Sequence, residues 1–354
     1  MTPLVPLPAA PADTPWPTDG WVEGAAPSGV RAPLDALVGS IATDSARYGD
    51  TYAVVVVHEG RLVGERYGGA LPKWDRPSES VARDTLLLSW SMAKSVLHAA
   101  VGVLVERGVL ALDEPAPVPE WSAASDPRHA ITLEHLLTMR DGLEFAEDYV
   151  DAGVSNVMEM LFTDANHDVA HYAASRPLAH PPDAVFNYSS GTTNIVSGIV
   201  ARTVGPGDAY GQFLRDVLFD PIGMTTAEPR FDGVGTFIAS SYVYATARDF
   251  AKFGLLYLRD GVWNGRRVLP AGWVDHGRRI RSRDPDDGRC YGAHWWVVGD
   301  EHGTFWANGY EGQSILLCPA LDLVVVRLGR SERAHYPALF AWRAAVVAAF
   351  ADAR

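Results

Sequence analysis

A serine and a lysine stand three residues apart at Ser91 and Lys94, in the tetrapeptide Ser-Met-Ala-Lys. On a helix this spacing places a hydroxyl and an amine on the same face, one turn apart. A serine hydroxyl is a weak nucleophile until a neighbouring group takes its proton. A lysine amine can take that proton when burial and its neighbours lower its pKa. The pair therefore predicts nucleophilic acyl chemistry at Ser91.

The residues that follow Ser91 are almost all apolar. From Met92 to Val105 the chain reads MAKSVLHAAVGVLV, which is typical of a helix buried on every side. A lysine near the start of such a helix is costly unless it has a partner or a function. The alternative is an exposed serine at a helix start with a solvated lysine after it, and the apolar context favours the buried pair.

Two further motifs lie downstream. The segment NYSSG contains Tyr188 and Ser190 and precedes an apolar helical run, so that a phenol and a hydroxyl stand at a turn before a helix. The segment WANGY contains Asn308 and Gly309, where a strand-like stretch meets a glycine. Both segments can supply polar groups to one pocket with Ser91.

The order Ser-x-x-Lys, Tyr-x-Ser and x-x-Gly resembles the serine β-lactamase and penicillin-binding-protein superfamily. The chain is most similar to its class C-related branch, which includes DD-peptidase-fold esterases and 6-aminohexanoate-dimer hydrolases. Stretches such as HEGRLVGERY, ITLEHLLTMRDGLEF and FNYSSGTTNIVSGIV extend the resemblance over residues 50–350. The resemblance implies an α+β fold of the β-lactamase/DD-peptidase type, with a central antiparallel sheet flanked by helices and a mostly helical inserted subdomain.

The resemblance also implies a role for each motif residue. Ser91 becomes acylated, and Lys94 and Tyr188 share its proton, either of them being the formal base. The backbone amides of Ser91 and Tyr310 bind the oxyanion. The residues expected to bind substrate are Tyr149, Ser190, Trp306, Asn308 and Gly309. For the aromatic members of this set, plain core packing is the open alternative.

Two positions depart from the β-lactamase pattern. Ser190 stands where the second motif usually has asparagine, and Ala307 stands where the third motif usually has lysine. In penicillin-recognising relatives that lysine helps to bind the substrate carboxylate by a charge-assisted hydrogen bond. Its replacement by Ala307 favours an ester or amide without that carboxylate over a β-lactam.

The composition excludes several classes of function. The chain has 354 residues and a formal net charge of −13, which argues against nucleic acid or an anionic membrane as main partner. No segment approaches the ~20 apolar residues of a membrane span. The proline-rich residues 1–21 lack the features of a signal peptide, which predicts an extended or flexible arm and a cytoplasmic location. Cys290 and Cys318 are expected as reduced, partly buried thiols.

The apolar pattern predicts strands at both ends of the chain and helices between them. Runs over residues 52–58 and 62–67 indicate a hairpin, Asn264-Gly265 a second one, and Thr246–Asp249 a helix capping box. Further strands are expected over residues 293–298, 304–308, 314–317 and 323–328, and a terminal helix over 337–351.

These elements predict a division of the chain. Residues 1–45 form the proline-rich arm and first helix, 46–111 and 258–354 form an α/β sheet subdomain, and 112–257 form a mostly helical subdomain. The active site is expected between the two subdomains.

Metal and cofactor motifs are incomplete. His167 and His171 have no third ligand at a recognised spacing and are expected on the surface, and the aspartates at 284, 286 and 287 lack a closing glutamate, since Trp295 stands there. We therefore expect no metal and no cofactor. The sequence favours a serine hydrolase for a small-molecule ester or amide. The alternatives are an acyltransferase, a β-lactamase and a non-catalytic penicillin-binding-like protein, and the oligomeric state stays open.

Overall fold

The computed structural model describes residues 3–72, 75, 77–149 and 155–353. The strands are β1 (Asp50–His58), β2 (Arg61–Tyr67), β3 (Ala70–Leu71), β4 (Glu79–Ser80), β5 (Leu87–Leu88), β6 (Glu228–Pro229), β7 (Val243–Ala245), β8 (Val262–Trp263), β9 (Arg266–Arg267), β10 (Ser282–Arg283), β11 (Cys290–Tyr291), β12 (Trp296–Val297), β13 (Phe305–Asn308), β14 (Ser314–Cys318) and β15 (Leu323–Arg330). The helices are α1 (Ser28–Thr43), α2 (Ser45–Tyr48), α3 (Ala93–Glu106), α4 (Leu133–Leu137), α5 (Asn156–Phe162), α6 (Val169–Ala174), α7 (Ser190–Val204), α8 (Asp208–Leu214), α9 (Ala247–Leu258), α10 (Trp273–Arg278) and α11 (Tyr336–Ala351).

An eight-stranded antiparallel sheet forms the centre of the fold, in the order β10-β11-β12-β13-β14-β15-β1-β2. Strand β1 pairs with β15 from Asp50 opposite Arg330 to His58 opposite Leu323. The two ends of the chain therefore share one sheet, while the long segment between β2 and β10 leaves it and returns. The expected α+β class with a central antiparallel sheet is confirmed.

Both faces of this sheet are buried. On β1, Val54 and Val56 face a core that includes residues of α1 and α11, while Val55 and Val57 face the larger core that contains α3 and α9. Each fully buried valine contributes roughly 1.5 kcal/mol or more. Burial on two sides explains why β1 is a continuous apolar run rather than an alternating one.

Helix α3 lies in the larger core, as its sequence predicts. A 3₁₀ turn over Trp90–Met92 precedes it, and every residue from Ala93 to Leu104 is buried. Ser91 therefore lies in the tight turn that leads into α3, one turn before Lys94. The chain leaves the helix at Gly108, whose φ of 67° favours glycine.

The strand expected over residues 293–298 is shorter in the structure, where β12 comprises Trp296–Val297 alone. His294 has a φ of 55°, which is incompatible with an extended strand. Its carbonyl accepts a hydrogen bond from Ser95 Oγ at 2.7 Å, and its ring contacts the carbonyl of Lys94. Contacts with α3 thus replace the strand that the local pattern favours.

The capping box expected at Thr246–Asp249 is half formed. Thr246 Oγ1 accepts from the amide of Asp249 at 3.3 Å, as a helix N-cap should. The Asp249 carboxylate, however, accepts from the amide and hydroxyl of Thr226, at 2.8 and 2.6 Å. The amide of Thr246 donates instead to Thr226 Oγ1 at 3.1 Å, so a tertiary contact supplies the second half.

The proline-rich arm lies on the body of the protein. Trp16 packs against Trp263 with ring centroids 5.0 Å apart, and Trp263 Nε1 donates to Thr18 Oγ1 at 2.8 Å. Cys290 and Cys318 are free and buried. Across the described residues, every helix is too short or too polar to cross a membrane.

Candidate active site

The turn that carries Ser91 is anchored by Ser89. The Ser89 amide donates to the Val243 carbonyl at 2.9 Å, and the Val243 amide donates to Ser89 Oγ at 3.0 Å. Between the two serines, Trp90 has a φ of 44°, which is unusual for a bulky residue. Its indole donates to Glu311 Oε2 at 3.2 Å. These contacts hold the backbone so that Ser91 lines a cavity.

Lys94 is 2% exposed and all its polar contacts are internal. Its Nζ lies 3.0 Å from Ser91 Oγ, 3.1 Å from Ser190 Oγ and 3.0 Å from the carbonyl oxygen of Ser240. Burial lowers the pKa of Lys94 to about 8, and the nearby Glu147 carboxylate opposes this change. A substantial fraction of neutral amine is therefore present close to neutral pH.

Tyr188 covers the same lysine. Its ring centroid lies 4.9 Å from Lys94 Nζ, and its phenol is hydrogen bonded to the Ser91 hydroxyl. Burial and the Glu147 carboxylate raise the pKa of Tyr188, and the Ser91 hydrogen bond acts in the opposite direction. The phenol thus keeps its proton at neutral pH and can donate it.

Glu147 is a site residue that the sequence analysis did not identify. Its Oε2 accepts from the amide of Ser190 at 2.8 Å, and its Oε1 accepts from Ser190 Oγ at 2.6 Å and from the Tyr149 hydroxyl at 2.8 Å. The carboxylate lies at the N-terminus of α7, where the helix dipole stabilises an anion. A single glutamate in a loop gives no periodic signal, and only its position next to Tyr149 could have drawn attention to it.

Asn194 and Ser240 form a second support that the sequence analysis missed. The Ser240 amide donates to Asn194 Oδ1 at 3.1 Å, and Asn194 Nδ2 donates to Ser240 Oγ at 3.2 Å. This pair of hydrogen bonds fixes the Ser240 backbone against α7. The Ser240 carbonyl is therefore held in place as an acceptor for Lys94.

His294 lies behind Lys94 and is a structural group. Its Nδ1 donates to the Lys94 carbonyl at 3.0 Å. Burial, and then the Lys94 charge, lower the pKa of His294 to about 3, so the imidazole stays neutral. A neutral histidine bonded to the backbone of α3 positions the lysine without exchanging protons in the physiological range.

The third motif ends against the nucleophile turn. A Cβ at Gly309 would overlap the Ser89 carbonyl oxygen and lie 3.1 Å from Trp90 Cβ, so only glycine lets the end of β13 approach this closely. The Gly309 amide donates to the Gln313 carbonyl at 2.9 Å. This contact places Tyr310, the first residue of the following turn, beside Ser91 on the cavity wall.

The cavity has a volume of about 450 Å³ and its lining includes several aromatic side chains. Tyr149 stacks on Tyr310 with ring centroids 4.7 Å apart. Trp306, by contrast, is absent from the described lining and packs in the core on the α11 side of the sheet. Its cross-strand neighbour Trp296 lines the cavity instead.

The structure thus brings most of the expected site residues together. Those that line the cavity or contact its lining directly are Ser91, Lys94, Tyr149, Tyr188, Ser190, Asn308, Gly309 and Tyr310. Ser190 fills the position of the missing asparagine by contacting Lys94 itself. Trp306 needs correction, because alternation along β13 directs its side chain into the core.

Comparison with known proteins agrees with this geometry. The Beta-lactamase family model matches residues 34–349. A 6-aminohexanoate-dimer hydrolase of Paenarthrobacter ureafaciens is 28% identical over 323 residues, covering 83% of this chain and 77% of the relative. A Bacillus anthracis structure provisionally assigned as a 6-aminohexanoate-dimer hydrolase has a TM-score of 0.73 and 22% identity, covering 97% of this chain and 90% of its own.

A family VIII carboxylesterase structure has a TM-score of 0.70 at 15% identity, covering 94% of this chain and 99% of its own. These two structural likenesses show a shared fold. The hydrolases among the relatives support an enzyme of the serine-hydrolase class. Because the family model spans most of its length, the chain belongs to the β-lactamase family.

Proposed function

We propose that the protein is a serine hydrolase that cleaves a small-molecule ester or amide through an acyl-enzyme on Ser91. The observation that carries the proposal is the 3.0 Å contact between Lys94 Nζ and Ser91 Oγ at the cavity wall. A buried amine beside a hydroxyl is costly for a protein that only binds a ligand. This cost favours catalysis over the alternative of a non-catalytic binding protein.

The hydrogen bonds of Lys94 support its role as the base. The Ser240 carbonyl can only accept, and the Ser190 hydroxyl gives its own proton to Glu147, so both contacts use N–H donors of Lys94. A neutral amine then has one lone pair left, for the third contact. That contact is the Ser91 hydroxyl, whose proton Lys94 takes as Oγ attacks the substrate carbonyl.

Tyr188 completes the proton path. Its phenol is bonded to Ser91, and its raised pKa keeps it protonated. As the tetrahedral intermediate collapses, the bond from carbonyl carbon to leaving group breaks. Tyr188 gives a proton to the leaving oxygen or nitrogen, and the proton held by Lys94 replaces it. The acyl group remains on Ser91 Oγ.

The oxyanion is bound by the amides of Ser91 and Tyr310. These residues line the cavity together, because Gly309 allows the end of β13 to pack on the turn of Ser91. Preorganised backbone donors of this kind are typically worth about 3 kcal/mol in the transition state. Water then attacks the acyl-enzyme, gives one proton to the Lys94–Tyr188 pair, and releases the acid and free Ser91.

A cavity of about 450 Å³ suits a small molecule. Tyr149, Trp296 and Tyr310 provide aromatic walls for an acyl chain or an aryl leaving group. An amine or alcohol in place of water would give acyl transfer by the same route, which stays the variant of this proposal.

Labelling with a fluorophosphonate tests the proposal. We expect one covalent adduct on Ser91 by intact-mass and peptide mass spectrometry, and burst release of p-nitrophenol from p-nitrophenyl acetate. Ser91→Ala should lose both signals and keep its circular dichroism spectrum. An unlabelled wild-type protein, or an adduct on Ser189 or Ser190, would contradict the assignment.

A further inference from the structure

Arg343 on α11 is a cation without a carboxylate partner. The residue lines the cavity and is 5% exposed. Its Nη2 donates to the Gly312 carbonyl at 3.3 Å, while its Nη1 is buried and has no hydrogen-bond partner among the described residues. No carboxylate oxygen lies within ion-pair distance of it in the same part of the chain. Such a group has unused donors at the edge of a substrate cavity.

The neighbouring arginines differ from Arg343 in their partners. Arg289 lies over Trp296 at 4.1 Å and pairs with Asp287 at 2.6 Å, so its charge is compensated. Arg333 is exposed at the cavity rim. Arg327 is fully buried, and its described hydrogen bonds go to hydroxyl and carbonyl oxygens, as in the 3.0 Å bond to Thr51 Oγ1. The α11 end of the cavity therefore carries uncompensated positive charge.

Physical chemistry makes this arrangement incomplete. A buried charge is normally paired, because transfer from water costs far more than neutral hydrogen bonds return. Burial lowers the pKa of Arg343 to about 10, with the Arg289 charge acting in the same direction. The guanidinium nevertheless remains charged at neutral pH. The group that completes the arrangement must be an anion that enters the cavity.

We propose that Arg343 binds a carboxylate of the substrate, an inference that rests on the proposed function. A planar guanidinium matches the two oxygens of a carboxylate. One uncompensated buried arginine, in a cavity that Glu147 also lines, fits a monoanion better than a phosphate dianion. The substrate class is then an ester or amide with a carboxylate some bonds away from the scissile carbonyl.

The position of Arg343 also orients that substrate. Its guanidinium bonds to Gly312, which ends the short turn that begins at Tyr310, the proposed oxyanion donor. The carboxylate is thus expected beyond the oxyanion side of Ser91. The cation that Ala307 lacks on β13 would be replaced by one on α11, at a different distance from the nucleophile.

Matched substrates test the proposal. The acyl arm compares the mono-p-nitrophenyl ester of glutaric acid with p-nitrophenyl pentanoate, and the leaving-group arm compares 4-acetoxybenzoate with its methyl ester. We expect wild-type kcat/KM to favour the anionic member of one arm by about tenfold or more, the scale of a charge-assisted hydrogen bond. Arg343→Met should bring that ratio to about one, and Arg343→Lys should restore part of it. Arg333→Gln, which removes an exposed rim cation, should leave the ratio unchanged.

The outcomes separate this inference from the proposed function. Equal rates for both members of each arm, with ester turnover present, overturn the role of Arg343 and leave the hydrolase standing. A ratio lost equally in Arg333→Gln would assign the preference to general rim charge and overturn it too. If no ester turns over, thermal shift with monomethyl adipate against dimethyl adipate decides. Stabilisation by the monoanion in wild type but not in Arg343→Met supports the subsite, and its absence refutes it.

Discussion

Each polar atom around Lys94 has an assigned use. Ser240 and Ser190 take two N–H donors, and Ser91 is left for the lone pair. Ser190 can accept from Lys94 because its own proton goes to Glu147. The reactivity that we propose for Ser91 is therefore set by hydrogen-bond accounting at single atoms, with burial lowering the pKa of the amine.

The first prediction at this scale concerns Lys94 and Tyr188. Lys94→Ala and Tyr188→Phe should each slow acylation by at least roughly a hundredfold, the usual scale for loss of acid or base assistance. The double variant should lose much less than the product of the two, because groups on one proton path are not additive. Stopped-flow measurement of the p-nitrophenol burst provides the rates. Losses that multiply would show that the two groups act independently.

The second prediction concerns Glu147 and pH. The neutral amine is the reactive form of Lys94, so kcat/KM should rise as the pH increases through its pKa, about 8. The Glu147 carboxylate raises that pKa, and Glu147→Gln removes the charge. We expect the rising limb of the pH profile to move to lower pH, even if the maximal rate falls. The exposed Glu144→Gln is the control, and a limb that stays in place or moves upward contradicts the role of Glu147.

At the scale of elements, three segments converge on Ser91. Helix α3 and the turn before it carry the lysine and the nucleophile, α7 carries Ser190 beside Tyr188, and β13 delivers the third motif. The loop around His294 ties α3 to the sheet, since it forgoes strand geometry to bond the Lys94 carbonyl. The distances within the site therefore depend on how these elements pack.

Gly309→Ala tests that packing. The added Cβ would meet the Ser89 carbonyl and Trp90 Cβ, so β13 must move away from the nucleophile turn. We expect a loss of about 1–3 kcal/mol in the free energy of unfolding, the usual range for overpacking, together with slower fluorophosphonate labelling. Urea denaturation and labelling kinetics measure the two effects.

Gly39→Ala is the matched control for this variant. Gly39 lies in α1, and no described atom outside its own helical turn lies within 4 Å of the position that an alanine Cβ would take. Alanine favours a helix by roughly 0.5–1 kcal/mol over glycine. The control should therefore be neutral or stabilising and should not slow labelling. Equal behaviour of the two variants would refute the requirement for glycine at position 309.

At the scale of the whole molecule, a sheet built from both ends of the chain supports a cavity whose walls come from distant segments. The lining includes Glu147 from the middle of the chain, Tyr310 from the sheet region and Arg343 from α11. The expected division at residues 46–111, 112–257 and 258–354 describes this separation of sources, and α9 packs on β14 and β15 of the sheet. Substrate choice is thus a property of the assembled fold.

The prediction at this scale compares substrate classes. Short-chain aryl esters should turn over with a higher kcat/KM than nitrocefin, because Ala307 supplies no cation beside the nucleophile for a β-lactam carboxylate. A charge-assisted hydrogen bond is worth about 1.5–3 kcal/mol, or roughly one to two orders of magnitude in rate. Ala307 is 2% exposed, so a lysine there would be buried, and wild-type kinetics with the two substrates are the cleaner measurement. Nitrocefin hydrolysis at or above the ester rate would restore β-lactamase as the function.

The sequence by itself determined the parts of the site that depend on local geometry. One helical turn links Ser91 to Lys94, and the apolar run after them requires a buried helix, so both features could be predicted. The strands at the two ends of the chain were predictable for the same reason, since β-branched periodicity is local. The resemblance placed Tyr188 and Gly309 in the same site.

Only the tertiary structure decided the contacts between segments far apart in the chain. Glu147 bonds to Ser190 across 43 positions, and Arg343 bonds to Gly312 across 31. Neither contact leaves a periodic pattern, because loop residues are set by what packs against them. The same holds for Trp306, where the sequence showed an aromatic beside a motif. The pleat of β13 turned its side chain to the α11 side of the sheet, and packing there covered it while the neighbouring Trp296 on β12 reached the cavity.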